Sequence, residues 1–208
     1  MTDVHLKEEA IASEVLFDGH FLRARRDTEQ VSQAQAVLDE TKRDYTALGY
    51  AELEAMLQQP SENMELVLAF CEKAANSHVD PARQQKCMAY LNYYAPRLFA
   101  RADPNRLAVA LLAMPPSAGP LPLVYYLRLG SRLETVISNS LAIQIYRRIY
   151  DLAPTAPDTE MALYRSAQIM LNIFNNRQHA AAAYQELLRL FPYGQMALQA
   201  RHALQQIS

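Results

Sequence analysis

Apolar residues recur at three- and four-residue steps through most of this chain, and prolines break the recurrence at intervals. Val31, Ala34, Val37, Leu38 and Tyr45 make a first stripe; Tyr50 to Leu57 follows after Gly49, and Pro60 closes it. This spacing sets apolar side chains along one face of a helix. Ser61 is placed to cap a helix from Glu62 to Ala75, with Met64, Val67, Leu68 and Cys71 on its buried side. Asp80-Pro81 and Asp103-Pro104 repeat one device, in which a carboxylate accepts free backbone N–H groups and proline takes the first helical position. Helices are predicted from Pro81 to about Tyr94, where Pro96 interrupts, and from Pro104 to about Leu112. The stretch MPPSAGPLP, 114–122, with four prolines and a glycine, breaks the pattern. Beyond it, helices are predicted over about 121–133, 140–152, 160–174, 178–191 and 195–206.

One passage in this series occurs twice. Ala142, Tyr146, Ile149, Leu152 and Pro154 return thirty-eight residues later as Ala180, Tyr184, Leu187, Leu190 and Pro192. Tyr126 and Tyr164 share that spacing, and Met161-Ala162-Leu163 is echoed as Met196-Ala197-Leu198. Alanine lets neighbouring helices approach and tyrosine fills the space between hairpins, so the repeated residues read as packing determinants. An alanine, an aromatic four residues on, an aliphatic three further and a proline at the helix end resemble the second helix of the tetratricopeptide repeat. Residues 161–194 show it best, with Tyr164 and Ala167 in the first helix and Asn175-Asn176 at the turn. The Trp and the Leu-Gly pair usual in that family's first helix are missing there, Ala167-Gln168 standing in place of the pair. The resemblance covers about 121–206 and implies an all-α, right-handed α-solenoid of helical hairpins. The last helix, mixing Met196, Leu198, Ala200 and Leu204 with Gln195, Gln199, Arg201 and Gln205, reads as its polar-faced cap.

The organisation expected is therefore a short extended or β segment at 1–30, a helical region at 31–113 that admits diverged repeats, the break at 114–122, and the repeats with their cap at 123–208. The amino-terminal segment, LFDGHFL followed by RRDT, resembles the first strand of Nudix ADP-ribose pyrophosphatases over about 28 residues. The magnesium-binding glutamates of that family's catalytic helix have no counterpart, so the resemblance carries no site. Arg23, Arg25 and Arg26 form a dense basic cluster, which Asp18, Asp27 and Glu29 dilute.

Charge changes the picture mainly by exclusion. Twenty Lys and Arg against 22 Asp and Glu give a net charge of −2, which offers no global attraction for nucleic acid or anionic lipid. No window holds the roughly 18 apolar residues that a membrane span needs, and the start has no signal-peptide pattern, so a cytoplasmic protein is expected. Cys71 and Cys87 lack metal-ligand spacing and are expected as buried free thiols; the five histidines are scattered. No phosphate-binding glycine loop, nucleophile elbow or metal motif is present, so neither catalysis nor a cofactor is expected.

The expected function is thus a non-enzymatic scaffold or adaptor whose helical repeats hold a protein or peptide. Arg128, Arg165 and Arg201 occur once per hairpin on first helices. In the tetratricopeptide family first helices line the concave face, so with Arg132 and Asn172 they are candidates for a groove that binds an acidic peptide or a carboxyl terminus. Tyr125 and Tyr126, beside the proline break, are further candidates. The other tyrosines, Tyr90, Tyr93 and Tyr94 among them, read either as an aromatic groove or as interhelical packing. A self-associating regulatory or assembly subunit is the alternative, and a residual Nudix-like hydrolase a second.

Overall fold

The computed structural model describes residues 44–58, 63–76, 80–115 and 121–207; the stripe at 31–38, the Nudix-like stretch and the arginine cluster lie outside the described residues. After a 3₁₀ turn at Tyr45–Ala47, the described residues form nine helices: α1 (Tyr50–Met56), α2 (Met64–Asn76), α3 (Pro81–Arg101), α4 (Pro104–Ala113), α5 (Leu123–Thr135), α6 (Asn139–Leu152), α7 (Pro157–Asn172), α8 (Arg177–Leu190) and α9 (Ala197–Ile207). The chain falls into two units, Met1–Asp44 and Tyr45–Ser208, and all nine helices belong to the second.

Helix starts follow from local capping chemistry. Asp80 accepts the Ala82 N–H at 3.0 Å and the Arg83 N–H at 3.4 Å, and Asp103 accepts the Arg106 N–H at 2.9 Å, each just ahead of a proline in the first turn. At α2 the cap is Asn63, whose Oδ1 accepts the N–H groups of Glu65 and Leu66 at 3.1 and 3.3 Å. That corrects the expected cap at Ser61, which lies outside the described residues.

Pro96 does not interrupt its helix. α3 runs through it to Arg101. Pro96 removes the N–H that would pair with the Asn92 carbonyl, but both residues lie on the exposed side, where water can take over. Meanwhile Tyr94, Ala95, Leu98 and Phe99 are buried on the other side. Their burial outweighs the roughly 3 kcal/mol that a mid-helix proline costs.

α2 packs against both α3 and α4, α4 packs against α5 and α6, and α3 reaches α5. From α5 onward the order is regular: each helix packs on the next through α9, and α5 also touches α7. This is the arrangement of stacked helical hairpins. The proline-rich stretch joins helices that pack together on either side of it.

Ala142, Tyr146 and Ile149 on α6, and Ala180, Tyr184 and Leu187 on α8, are all buried. Desolvation raises the Tyr184 hydroxyl to about 12, helped by nearby Tyr164. A pairing on the first helix is visible only in three dimensions. A Cβ on Gly130 would stand 2.6 Å from Tyr146 Cζ and 3.0 Å from Cδ1, so the missing side chain is what admits the ring. Leu129-Gly130 stands thirty-eight residues ahead of Ala167-Gln168, and supplies in the earlier hairpin the Leu-Gly pair that the later one lacks.

Both hairpin turns place one residue in the left-handed region at the same repeat position, Ile137 at φ 62° and Asn175 at φ 49°. Ser138 donates to the Leu133 carbonyl at 2.8 Å and Ile137 to that of Glu134 at 3.1 Å, the pair of bonds that closes a Schellman end. Asparagine tolerates this geometry, whereas a β-branched residue is strained there. Ile137 is also 82% exposed, so it recovers little by packing. Ile137→Gly is therefore expected to stabilise the protein by about 1 kcal/mol, as a higher urea midpoint at unchanged slope.

Candidate partner-binding surfaces

The candidate groove residues sit in different environments. Arg132, half-buried, donates to the carbonyls of Phe99 at 2.7 Å and Ala102 at 2.8 Å, closing the carboxy-terminal end of α3. Arg165 on α7 pairs with Glu134 on α5, with N–O distances of 3.0 and 3.1 Å. Arg201 donates to the Pro192 carbonyl at 2.6 Å. Tyr126 is buried, and desolvation raises its hydroxyl. Tyr125 is half-buried against Phe99, ring centroids 5.1 Å apart. Arg128 and Asn172 are exposed, Arg128 lying 6.0 Å from the centre of the Tyr125 ring.

Tyr125, Arg128 and Arg132 gather around Phe99, whereas Arg165 and Arg201 make their contacts elsewhere. Arg128 and Arg165 are thirty-seven residues apart in a repeat of thirty-eight. One residue turns a helix by about 100°, so the two arginines occupy different faces of corresponding helices. Arg165 instead fastens α7 to α5 through Glu134, which also accepts the Tyr146 hydroxyl at 2.5 Å.

Other cations behave alike. Arg148 on α6 donates to the carbonyls of Leu111 and Leu112 at 3.2 and 3.1 Å and to that of Met114, at the end of α4. Arg106 on α4 bridges Glu65 at 2.6 Å and Glu72 at 2.7 Å on α2, and these carboxylates raise its pKa. A guanidinium fits this role because its fixed fork satisfies two acceptors at once. Arg106, Arg132, Arg148 and Arg165 are thus fasteners between helices, and an arginine on a helix is by itself no guide to a binding face.

Glu186 on α8 ties two elements. It accepts the Tyr150 hydroxyl of α6 at 2.8 Å and pairs with Arg189 at 2.7 Å. Those hydrogen bonds, Arg189's first, lower its carboxyl from 4.5 to about 2. A depressed carboxyl stabilises the fold above its unfolded pKa and loses that contribution as pH falls through the folded value. Wild type should therefore lose stability between pH 4.5 and 2 more steeply than Glu186→Gln, measured as thermal midpoints across that range.

A different surface lies on α3. Its residues Arg83, Lys86, Tyr90, Tyr93, Arg97 and Arg101 follow one another at three- and four-residue steps, with Tyr94 next to Tyr93. Rings form a continuous series: Tyr50 to Phe70 at 5.0 Å, Phe70 to Tyr90 at 5.2 Å, Tyr90 to Tyr94 at 6.3 Å and Tyr94 to Tyr93 at 4.8 Å. The Tyr90 hydroxyl donates to the Leu57 carbonyl at 3.1 Å, and Lys86 pairs with Glu54, fixing α1 beside α3. Between them Leu57, Gln58, Ala89, Tyr90, Tyr93 and Tyr94 line an open cleft of about 240 Å³. Tyr93 stands edge-on to Tyr94 yet is 71% exposed. The sequence singled out these tyrosines without separating the exposed one from the buried ones.

Large apolar side chains are also exposed at both hairpin turns, Val136 and Ile137 on one and Ile173 and Phe174 on the other. Cys71 and Cys87 are free, buried and adjacent, and burial followed by the neighbouring thiol pushes Cys71 well up in pKa. Among the described residues no three His, Cys, Asp or Glu side chains gather as a metal site would require, and no helix is long and apolar enough to cross a membrane. Compared with profiles of known protein families, with curated proteins and with solved structures, the chain matches none.

Proposed function

We propose that this protein is a non-enzymatic scaffold or adaptor, built as a right-handed solenoid of tetratricopeptide-like hairpins, that holds a peptide or protein on its helical-repeat surface. One observation carries the reading. The two full hairpins repeat in core residues, in turn geometry and in the apolar side chains their turns leave uncovered: Val136 and Ile137, then Ile173 and Phe174. Turns facing water gain nothing from such residues, whereas protein interfaces are built on them. The Leu129-Gly130 pair with its ring contact to Tyr146 supports the family resemblance. A cytoplasmic location belongs to the same proposal, supported by the two reduced thiols.

The test is affinity capture on the full chain beside the variant Ile137→Asp with Phe174→Asp. Partners that depend on the turns should be lost from the variant. An unchanged set would reject the turns as the recognition edge, and the absence of any specific partner would reject the adaptor reading.

Self-association is favoured by a separate observation at the end of the stack, where Leu198 on α9 is 74% exposed and Tyr193 just before it 96%. A molar mass in light scattering that rises with concentration and returns to the monomer value in Leu198→Glu would support end-to-end stacking. A concentration-independent monomer would end that reading.

A further inference from the structure

We propose that Cys71 and Cys87 form a redox clasp between α2 and α3, two thiols while the helices stand closed and a disulfide once a peroxide reaches them through a local opening of α2. This goes beyond the reading of the chain as an adaptor and does not depend on it.

Placement carries the inference. The chain has two cysteines, and although they stand 16 residues apart they meet in the fold. The Cys87 thiol on α3 donates to the Cys71 carbonyl of α2 across 4.0 Å, and the two thiols hydrogen-bond one another. A buried thiol on its own is a small apolar side chain and little more. Two that touch across a helix pair have a further chemistry, because each supplies the partner that converts the other's sulfenic acid into a disulfide.

Closed, the pair is protected. Both side chains are fully buried in the larger core cluster, and burial, then the neighbouring thiol, holds Cys71 above the ordinary thiol range. The thiolate is the nucleophile, so reaction waits for an opening that brings water to the sulfurs. Arg106 governs that opening. From α4 it bridges Glu65 and Glu72 on α2, and Glu72 is the residue after Cys71. These ion pairs are partly exposed, so they hold α2 down less firmly than its buried side chains do.

The chemistry balances with hydrogen peroxide as oxidant. One thiolate attacks a peroxide oxygen, the O–O bond breaks, and a sulfenic acid and the first water result. The second thiol then attacks the sulfenic sulfur; the S–S bond forms, the S–O bond breaks, and the oxygen leaves as the second water. Two electrons have passed from the sulfurs to the peroxide, and an added dithiol returns them. The disulfide ties α2 to α3, which Arg132 already fastens to α5, so the oxidised chain keeps the start of the stack closed.

The test exposes the full chain to hydrogen peroxide, alkylates it in denaturant and measures its mass. The product should be lighter by two hydrogens and carry no alkyl group on either cysteine, and dithiothreitol should reverse both changes. Its urea midpoint should rise by roughly 1 M, since the cross-link restricts the unfolded chain. Arg106→Gln should form the disulfide about threefold faster, the effect of releasing a partly exposed ion pair. Cys87→Ser should stop at a sulfenic acid on Cys71 that dimedone traps. Thiols still alkylated after methionines have been oxidised, a disulfide between two chains, or a cross-link that lowers the urea midpoint would overturn the clasp. So would a rate that Arg106→Gln leaves unchanged, because α2 would not then be the gate. Should Cys87→Ser fail to fold, the mass and midpoint of the wild-type chain still decide.

Discussion

Tyr146→Ala is expected to cost about 3–5 kcal/mol of unfolding free energy, the range for removing a buried aromatic ring. The ring is 2% exposed and lies over Gly130, which has no side chain to move into the void. Its hydroxyl also donates to Glu134, which then holds Arg165 on α7. The substitution therefore opens a cavity between α5 and α6 and loosens the link from α5 to α7. Tyr146→Phe separates the two effects: it keeps the ring, loses one hydrogen bond, and should cost about 1 kcal/mol. Urea unfolding of both variants reads the difference. Similar losses from the two would mean that the polar link, and not the ring, holds the hairpin.

Arg132→Ala should cost about 2–3 kcal/mol, because hydrogen bonds to a charged donor are worth more than neutral ones and two carbonyls lose their partner together. Phe99 and Ala102, whose carbonyls these are, are buried, so water replaces the guanidinium poorly. Arg132→Lys should recover only part of the loss, since one ammonium cannot reproduce the two-pronged geometry. The measurement again is the urea midpoint, paired with affinity capture of the partners that wild type holds. A fastener loses stability and keeps affinity. The reverse pattern would return Arg132 to a recognition face.

What was legible in the sequence was chemistry that acts within a few residues. Asp80-Pro81 and Asp103-Pro104 start helices because cap and acceptor are neighbours in the chain, and no tertiary contact is needed. The repeat was legible for the same kind of reason, since Ala142, Tyr146 and Ile149 share one helix face by spacing alone. Pro96 was not, because the burial that carries α3 past it is contributed by other helices. Arg128 and Arg165 stand thirty-seven residues apart, close to the repeat of thirty-eight, and that one residue of difference turns the side chain to another face, which linear spacing does not display. Leu129-Gly130 falls in register with Ala167-Gln168 once Tyr126 is set against Tyr164, yet the reason for the glycine, the ring of Tyr146, lies on another helix. The α3 cleft depends on where α1 settles, and no local spacing records that.

The core is not continuous along the stack. One cluster runs from Tyr45 to Ile169 and a smaller one gathers Ala167, Ala180, Tyr184, Leu187 and Ala200, so α7 contributes to both. From Thr159 to Leu171 that helix has no fully exposed residue. α7 thus acts as a party wall, and the last two helices are expected to open as a unit while the rest stays folded. Backbone amides of α8 and α9 should then exchange with solvent through a lower-energy opening than those of α2 to α6, so the end of the stack can be remodelled without dismantling the cleft at its start.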